Sequence, residues 1–138
     1  RELATSALMQ EIWLNLCKHV NIKNEDNYSY ASASSQARLQ LIMQYIQQNY
    51  RSNISLDNIA DYAMLSKSTV LNYFRKYLHT TPINYLINYR LNEAAVLLRK
   101  TEKKIITVSN ETGFNNVDYF CKLFKKHYHL TPTEYRKK

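Results

Sequence analysis

Apolar residues recur along this chain at intervals of three and four, and short polar breaks divide the stretches that keep that interval. Leu8, Ile12, Leu16 and Val20, flanked by Trp13 and Cys17, make one stripe and predict a helix over residues 1–20. Residues 21–35, N-I-K-N-E-D-N-Y-S-Y-A-S-A-S-S, are polar and without period, and read as a linker. Leu39, Ile42, Met43, Ile46 and Tyr50 form a second helical stripe. Ser55 is a candidate N-cap for a short helix ending near Ala63, with Leu56, Ile59, Ala60 and Ala63 turned inward. Ser66 suits the cap of the next helix, ending near Leu78, with Val70, Phe74 and Tyr73 inside. Pro82 fits the first turn of a long helix over 82–99, with Ile83, Ile87, Leu91, Ala94, Ala95 and Leu98 on one side. A helix over about 105–112, a turn at Gly113, a helix over 117–128 and a short helix opened by Pro132 complete the chain.

Glycine usage supports the helical reading. Tight hairpins need residues that tolerate positive φ, and this chain has one glycine, Gly113, and two prolines, each preceded by Thr. An all-α fold is expected.

One unit occurs twice. Residues 71–85, L-N-Y-F-R-K-Y-L-H-T-T-P-I-N-Y, return fifty places later as 121–135, C-K-L-F-K-K-H-Y-H-L-T-P-T-E-Y. At that offset Phe74 matches Phe124, Lys76 matches Lys126, His79 matches His129, Pro82 matches Pro132 and Tyr85 matches Tyr135. A fixed period signals a reused supersecondary unit. Here each copy carries basic residues on a helix ending before a Thr-Pro, which suits two matched contacts on a ligand that itself repeats, such as duplex DNA.

Charge is distributed accordingly. Of the formal +8, residues 1–34 contribute three Lys/Arg against four Asp/Glu, whereas residues 35–138 contribute sixteen against seven. The excess positive charge belongs to the part containing the repeat, as a phosphate-neutralising surface requires. Two distant cysteines, Cys17 and Cys121, give no disulfide framework, and a reduced, cytoplasmic setting is expected. No apolar run approaches the ~20 residues that span a bilayer, so no membrane partner is expected.

Short helix, three- or four-residue turn and longer helix make the helix-turn-helix pattern. Its first helix needs a small residue where the second crosses it, supplied by Ala60 and Ser109, and an apolar residue after the turn, supplied by Leu65 and Phe114. The runs I-A-D-Y-A-M-L-S-K-S-T-V-L-N-Y-F-R-K-Y-L at 59–78, R-L-N-E-A-A-V-L-L at 90–98 and G-F-N-N-V-D-Y-F-C-K-L-F-K-K-H-Y-H-L-T-P-T-E-Y-R at 113–136 closely resemble the DNA-binding domain of AraC/XylS-type transcription regulators. The resemblance covers about residues 36–137, and the DNA-binding domain is expected over 36–138. It implies two helix-turn-helix subdomains, at 56–78 and 105–128, joined by a spacer helix over 82–99, with both reading helices entering successive major grooves of double-stranded DNA. It also implies transcriptional control, with activation the expected sense although the residues do not distinguish it from repression, and a place at the nucleoid when bound. By the same resemblance, residues 1–20 are expected to end a preceding effector-binding or dimerisation domain. RNA polymerase and a second copy, paired through that domain, are the further partners it implies.

Carried over by position, the first reading helix presents Lys67, Ser68, Leu71 and Asn72 to bases, and the second presents Val117, Asp118, Cys121 and Lys122. Asn72 has the amide that pairs bidentately with adenine, Leu71 suits a thymine methyl, Lys122 suits guanine O6/N7, and Asp118 suits cytosine N4 or the helix dipole. Arg75, Lys76, Lys125 and Lys126, one turn further along, suit phosphate. The chain departs from the family in three turns, with Met64, His79 and His129 where glycine is common, and with Ser109 in place of alanine.

Other chemistries are weakly supported. Cys121 and His127 lie six apart on one predicted helix and face different directions, so with His129 they make a poor metal set, and no cofactor is expected. No phosphate-binding glycine loop, H-E-x-x-H or nucleophile-base pair is present, and no enzyme is expected. Many of the twelve tyrosines fall on inward faces, which favours core packing over base stacking. The alternative is a helical protein-interaction module without DNA specificity, which leaves the charge split unexplained.

Overall fold

The computed structural model describes the backbone of residues 26–138 and the side chains of residues 33–138. Among the described residues there are seven helices: α1 (Asp26–Asn49), α2 (Leu56–Ala63), α3 (Lys67–Leu78), α4 (Pro82–Lys100), α5 (Ile105–Glu111), α6 (Val117–Tyr128) and α7 (Pro132–Lys137). The expected helix over 1–20 lies outside them. The linker expected over 21–35 requires correction, because α1 already begins at Asp26; residues 21–25 lie outside the described part. Polarity had suggested a linker, but residues 26–35 contain neither Gly nor Pro and are rich in Ala and Ser. Once Leu39, Ile42 and Ile46 anchor the helix, adding such residues at its N-terminus costs little.

The helix starts follow local side-chain chemistry. Ser55 Oγ accepts from the Asn58 N–H at 3.1 Å while the Asn58 side chain accepts from the Ser55 N–H at 2.9 Å, a reciprocal box that satisfies two donors of α2. Ser66, Thr81, Asn116 and Thr131 each accept from an N–H three residues on, opening α3, α4, α6 and α7, with Pro82 and Pro132 in the first turns.

The two helix-turn-helix turns are built alike. After α2 the N–H of Leu65 donates to Ala60 O at 3.0 Å, and after α5 the N–H of Phe114 donates to Ser109 O at 3.0 Å. Met64 (φ 57°) and Gly113 (φ 93°) hold the left-handed positions in these turns. His79 and His129 end α3 and α6 in the same region, at φ 55° and 64°, so all three residues in place of family glycines adopt the backbone a glycine would. The repeat is not uniform. Turn residues correspond at an offset of 49, reading helices at 50, and Asn115 is the extra residue in the second copy.

Two cores result. Leu39, Ile42, Ile46, Ile59, Val70 and Phe74 lie at the centre of the first, and Leu91, Leu98, Val108, Phe114, Phe120 and Phe124 fill the second. The spacer α4 feeds both. Its first half gives Tyr85, Leu86 and Tyr89 to the first core, and its second half gives Leu91, Ala94, Ala95 and Leu98 to the other. The single apolar side expected for this helix is therefore two sides, and Ile83, expected inside, is 37% exposed. The five steps from Leu86 to Leu91 turn the helix by about 140°, so the two halves face different units. Polar ties brace the arrangement. Gln47 donates to the Tyr85 hydroxyl at 2.9 Å, and Arg136 Nε donates to Leu98 O at 3.0 Å. The Tyr128 hydroxyl donates to Asn92 Oδ1 at 2.6 Å, and burial pushes its pKa up to about 12, so it keeps its proton.

Candidate nucleic-acid interface

Each reading helix has an aromatic back and a polar front. On α3 the back is Val70, Phe74 and Tyr77, all buried; on α6 it is Phe120 and Phe124. Positions three and four apart share a face, so fixing the back fixes the front. Lys67, Ser68, Asn72, Arg75 and Lys76 are exposed on α3, with Leu71 half-buried at the edge of their face. Asp118, Lys122, Lys125 and Lys126 are exposed on α6, with Val117 and Cys121 half-buried. Nine of the twelve sequence-derived candidates are therefore exposed, and Leu71, Val117 and Cys121 lie half-buried, with Cys121 packed against the second core.

The electrostatics refine these assignments. Lys67 is not free. Its ammonium lies 2.8 Å from the Asp57 carboxylate of α2, which raises its pKa through that hydrogen bond and charge. Both groups are well exposed, so this surface pair tethers Lys67 weakly and can open to an anion. Burial, then the nearby Asp118, pushes the Cys121 thiol up, so this cysteine presents a neutral, weakly polar surface. His127, exposed beside the basic end of α6, is pushed down by desolvation and by His129, so the positive charge of that end rests on Lys125 and Lys126. Basic residues in the last turns of α3 and α6 also complement the helix dipoles.

Two features escaped the periodicity. A groove of about 410 Å³ runs between α4 and α6, lined by Thr80, Asn84, Asn88, Tyr119, Lys126 and His127 among others. Tyr119 is 52% exposed there, although tyrosines were assigned mainly to the cores. Its position next to buried Phe120 was the available signal, since adjacent helical residues point about 100° apart. The second is Arg90, half-buried in the middle of α4 and donating to two backbone carbonyls of the first unit.

A helix-turn-helix domain family matches residues 59–138. A solved transcriptional regulator from Chromobacterium violaceum, described as having an AraC-type DNA-binding domain, superposes with a TM-score of 0.71 at 32% identity, over 76% of this chain and 94% of that one. The chain belongs to the AraC-type helix-turn-helix family. Among curated relatives, the HTH-type transcriptional regulator YdeC of Bacillus subtilis is 31% identical over 110 residues, 80% of this chain but 38% of that protein. This AraC-type chain thus spans well under half of that relative. The DNA-binding domain of AdpA, solved with a target DNA, has the same fold at a TM-score of 0.69 and 21% identity, over 72% of this chain and 89% of that one. The family match starts within α2, so the core-forming half of α1 precedes it while packing into the first AraC-type unit.

Proposed function

We propose that this chain is the DNA-binding part of a transcription regulator, and that α3 and α6 read two successive major grooves on one side of a duplex. The observation that carries this reading is the pairing of two equivalently capped helices, each with its aromatic side buried and its polar, basic side exposed, mounted on one spacer. The major groove admits a single α-helix. At 19 residues α4 spans about 28 Å, which suits two readers placed about one helical turn of DNA, roughly 34 Å, apart. Asn72 and Lys122 take the main base contacts, with Ser68, Leu71, Val117, Asp118 and Cys121 beside them. Lys67 contacts a base after leaving Asp57. Arg75, Lys76, Lys125 and Lys126 neutralise phosphates. The activity is binding, and no catalytic step is assigned to it. RNA polymerase and a second copy joined through a preceding domain belong to the same reading of the longer protein.

Selection of bound sequences from a random duplex pool tests the proposal. Two specified blocks with centres about 10 bp apart are expected. Asn72→Ala should relax preference within one block by about 1–3 kcal/mol, whereas Lys125→Ala should weaken all duplexes alike and lower the salt slope by about 1. A single block, or equal behaviour of the two variants, refutes the assignment. No retention on duplex DNA favours a protein-interaction module instead.

A further inference from the structure

Beside α4 the two units approach at a small junction. Just beyond the end of α1, in the first unit, Tyr50 O accepts from Arg90 Nε at 2.7 Å and Ser52 O accepts from Arg90 Nη2 at 2.8 Å. The Arg90 guanidinium lies 5.9 Å from the Phe114 ring, in the turn of the second unit. Gly113 in that turn leaves no room for a side chain: a Cβ there would stand 2.5 Å from Tyr50 O and 2.8 Å from Arg90 Nε, at a φ of +93°. The backbone of one helix-turn-helix unit is thus pressed against the end of the other unit's first helix, with the planar fork of Arg90 laid between them.

Two consequences follow from the chemistry. Backbone carbonyl oxygens carry partial negative charge and accept well from a cation. Two such acceptors held by one side chain define an orientation as well as a distance, because the guanidinium is planar and its donors are fixed relative to one another, whereas a lysine ammonium offers one freely rotating point. Both bonds tie α4 to the first unit, as the Gln47–Tyr85 bond does, while Tyr128 and Arg136 tie the second unit to α4; Arg90 meets the second unit through the Phe114 ring and the close seat of Gly113.

We propose that Arg90, seated against Gly113, is a specificity-determining positioning residue: it sets the angle between α3 and α6, and so the spacing of the two DNA blocks the chain accepts, without touching DNA. This rests on the two-groove reading. Arg90 acts through the junction, and its loss should leave each reading helix able to bind by itself.

The test uses the full chain with Arg90→Lys, and Gly113→Ala as a second perturbation of the same junction. Residual dipolar couplings in solution report the relative orientation of the two units in the absence of DNA. In the parent both units should share one alignment frame; in folded Arg90→Lys the frames should separate, while the couplings within each unit stay unchanged. Binding is then measured on duplexes whose two selected blocks are separated by the selected spacing, or by one base pair more or fewer, and on a duplex with one block. Arg90→Lys should lose about tenfold on the selected spacing, flatten the dependence on spacing, and keep the parent's affinity for the one-block duplex. If folded Arg90→Lys keeps a single alignment frame or the parent's spacing dependence, the proposal is overturned, whether or not Gly113→Ala folds. If the frames separate but the parent itself shows no dependence on spacing, the two-groove reading fails and takes the specificity role of Arg90 with it.

Discussion

Truncating Phe124 to alanine should destabilise the second helix-turn-helix unit locally while leaving the first unaffected. Phe124 is fully buried, with ring centres 4.6 Å from Tyr128, 5.3 Å from Tyr135 and 5.7 Å from Phe120. Phe→Ala in a core costs about 3–5 kcal/mol. Three aromatic neighbours, each contributing about 0.5–1.5 kcal/mol beyond area burial, put this site toward the upper part of that range, near 4 kcal/mol. A domain of this size is stable by only about 5–15 kcal/mol. The loss falls on the core formed by Leu91, Ala94, Leu98, Val108, Phe114 and Phe120, which is separate from the cluster containing Phe74. Local opening of α5, α6 and α7 should therefore become the cheapest unfolding event. Amide hydrogen exchange measures this directly. Exchange in α6 should accelerate by about a thousandfold, the equivalent of about 4 kcal/mol, while the slowest amides of α1 and α3 change by less than about tenfold. Phe74→Ala should give the mirror-image pattern. Equal acceleration in α3 and α6 would show that the two cores unfold as one body and would refute the division.

Two smaller effects follow from the turns and caps. Met64 is 87% exposed and sits at φ 57°, so Met64→Gly removes backbone strain with little lost packing and should raise stability by about 0.5–1 kcal/mol in urea unfolding; a decrease would mean that the methionine side chain contributes to the fold. Glu134 accepts from the Thr131 N–H at 2.9 Å, and that bond, aided by the Thr131 hydroxyl and more distantly by Lys125, holds its carboxyl below the ordinary glutamate range. Because the folded pKa is the lower one, the stabilisation of the α7 cap is present above the ordinary glutamate value and is lost as pH falls through the depressed one. A carboxyl NMR titration should place Glu134 below a glutamate in an unfolded peptide, and a midpoint at or above that reference would contradict the capping box.

Much of this protein is written in local order. Ser55, Ser66 and Thr81 start helices because a side-chain oxygen reaches an N–H three residues on, and Pro82 and Pro132 add a fixed φ at the first turn; these interactions involve neighbours in sequence. The apolar period marked Val70 and Phe74 as the back of α3, and the family resemblance supplied the outward places of Asn72, Arg75, Lys122 and Lys125, which are exposed. The fifty-residue repeat made the duplication visible before any coordinates. What the local pattern left undetermined depends on partners far along the chain. The helical state of residues 26–35 follows from anchoring further on in α1, which a polar stretch does not display. The two faces of α4 follow from having one core on either side, and Ile83 lost its expected place because no element covers it fully. The tether of Lys67 to Asp57, the exposure of Tyr119 and the seat of Arg90 on Tyr50 and Ser52 are also tertiary, the last across 38 and 40 residues. Periodicity tells which side of a helix is apolar, since that follows from the rise and rotation per residue. Which neighbour that side meets, and at what angle, is decided only when distant segments close on one another.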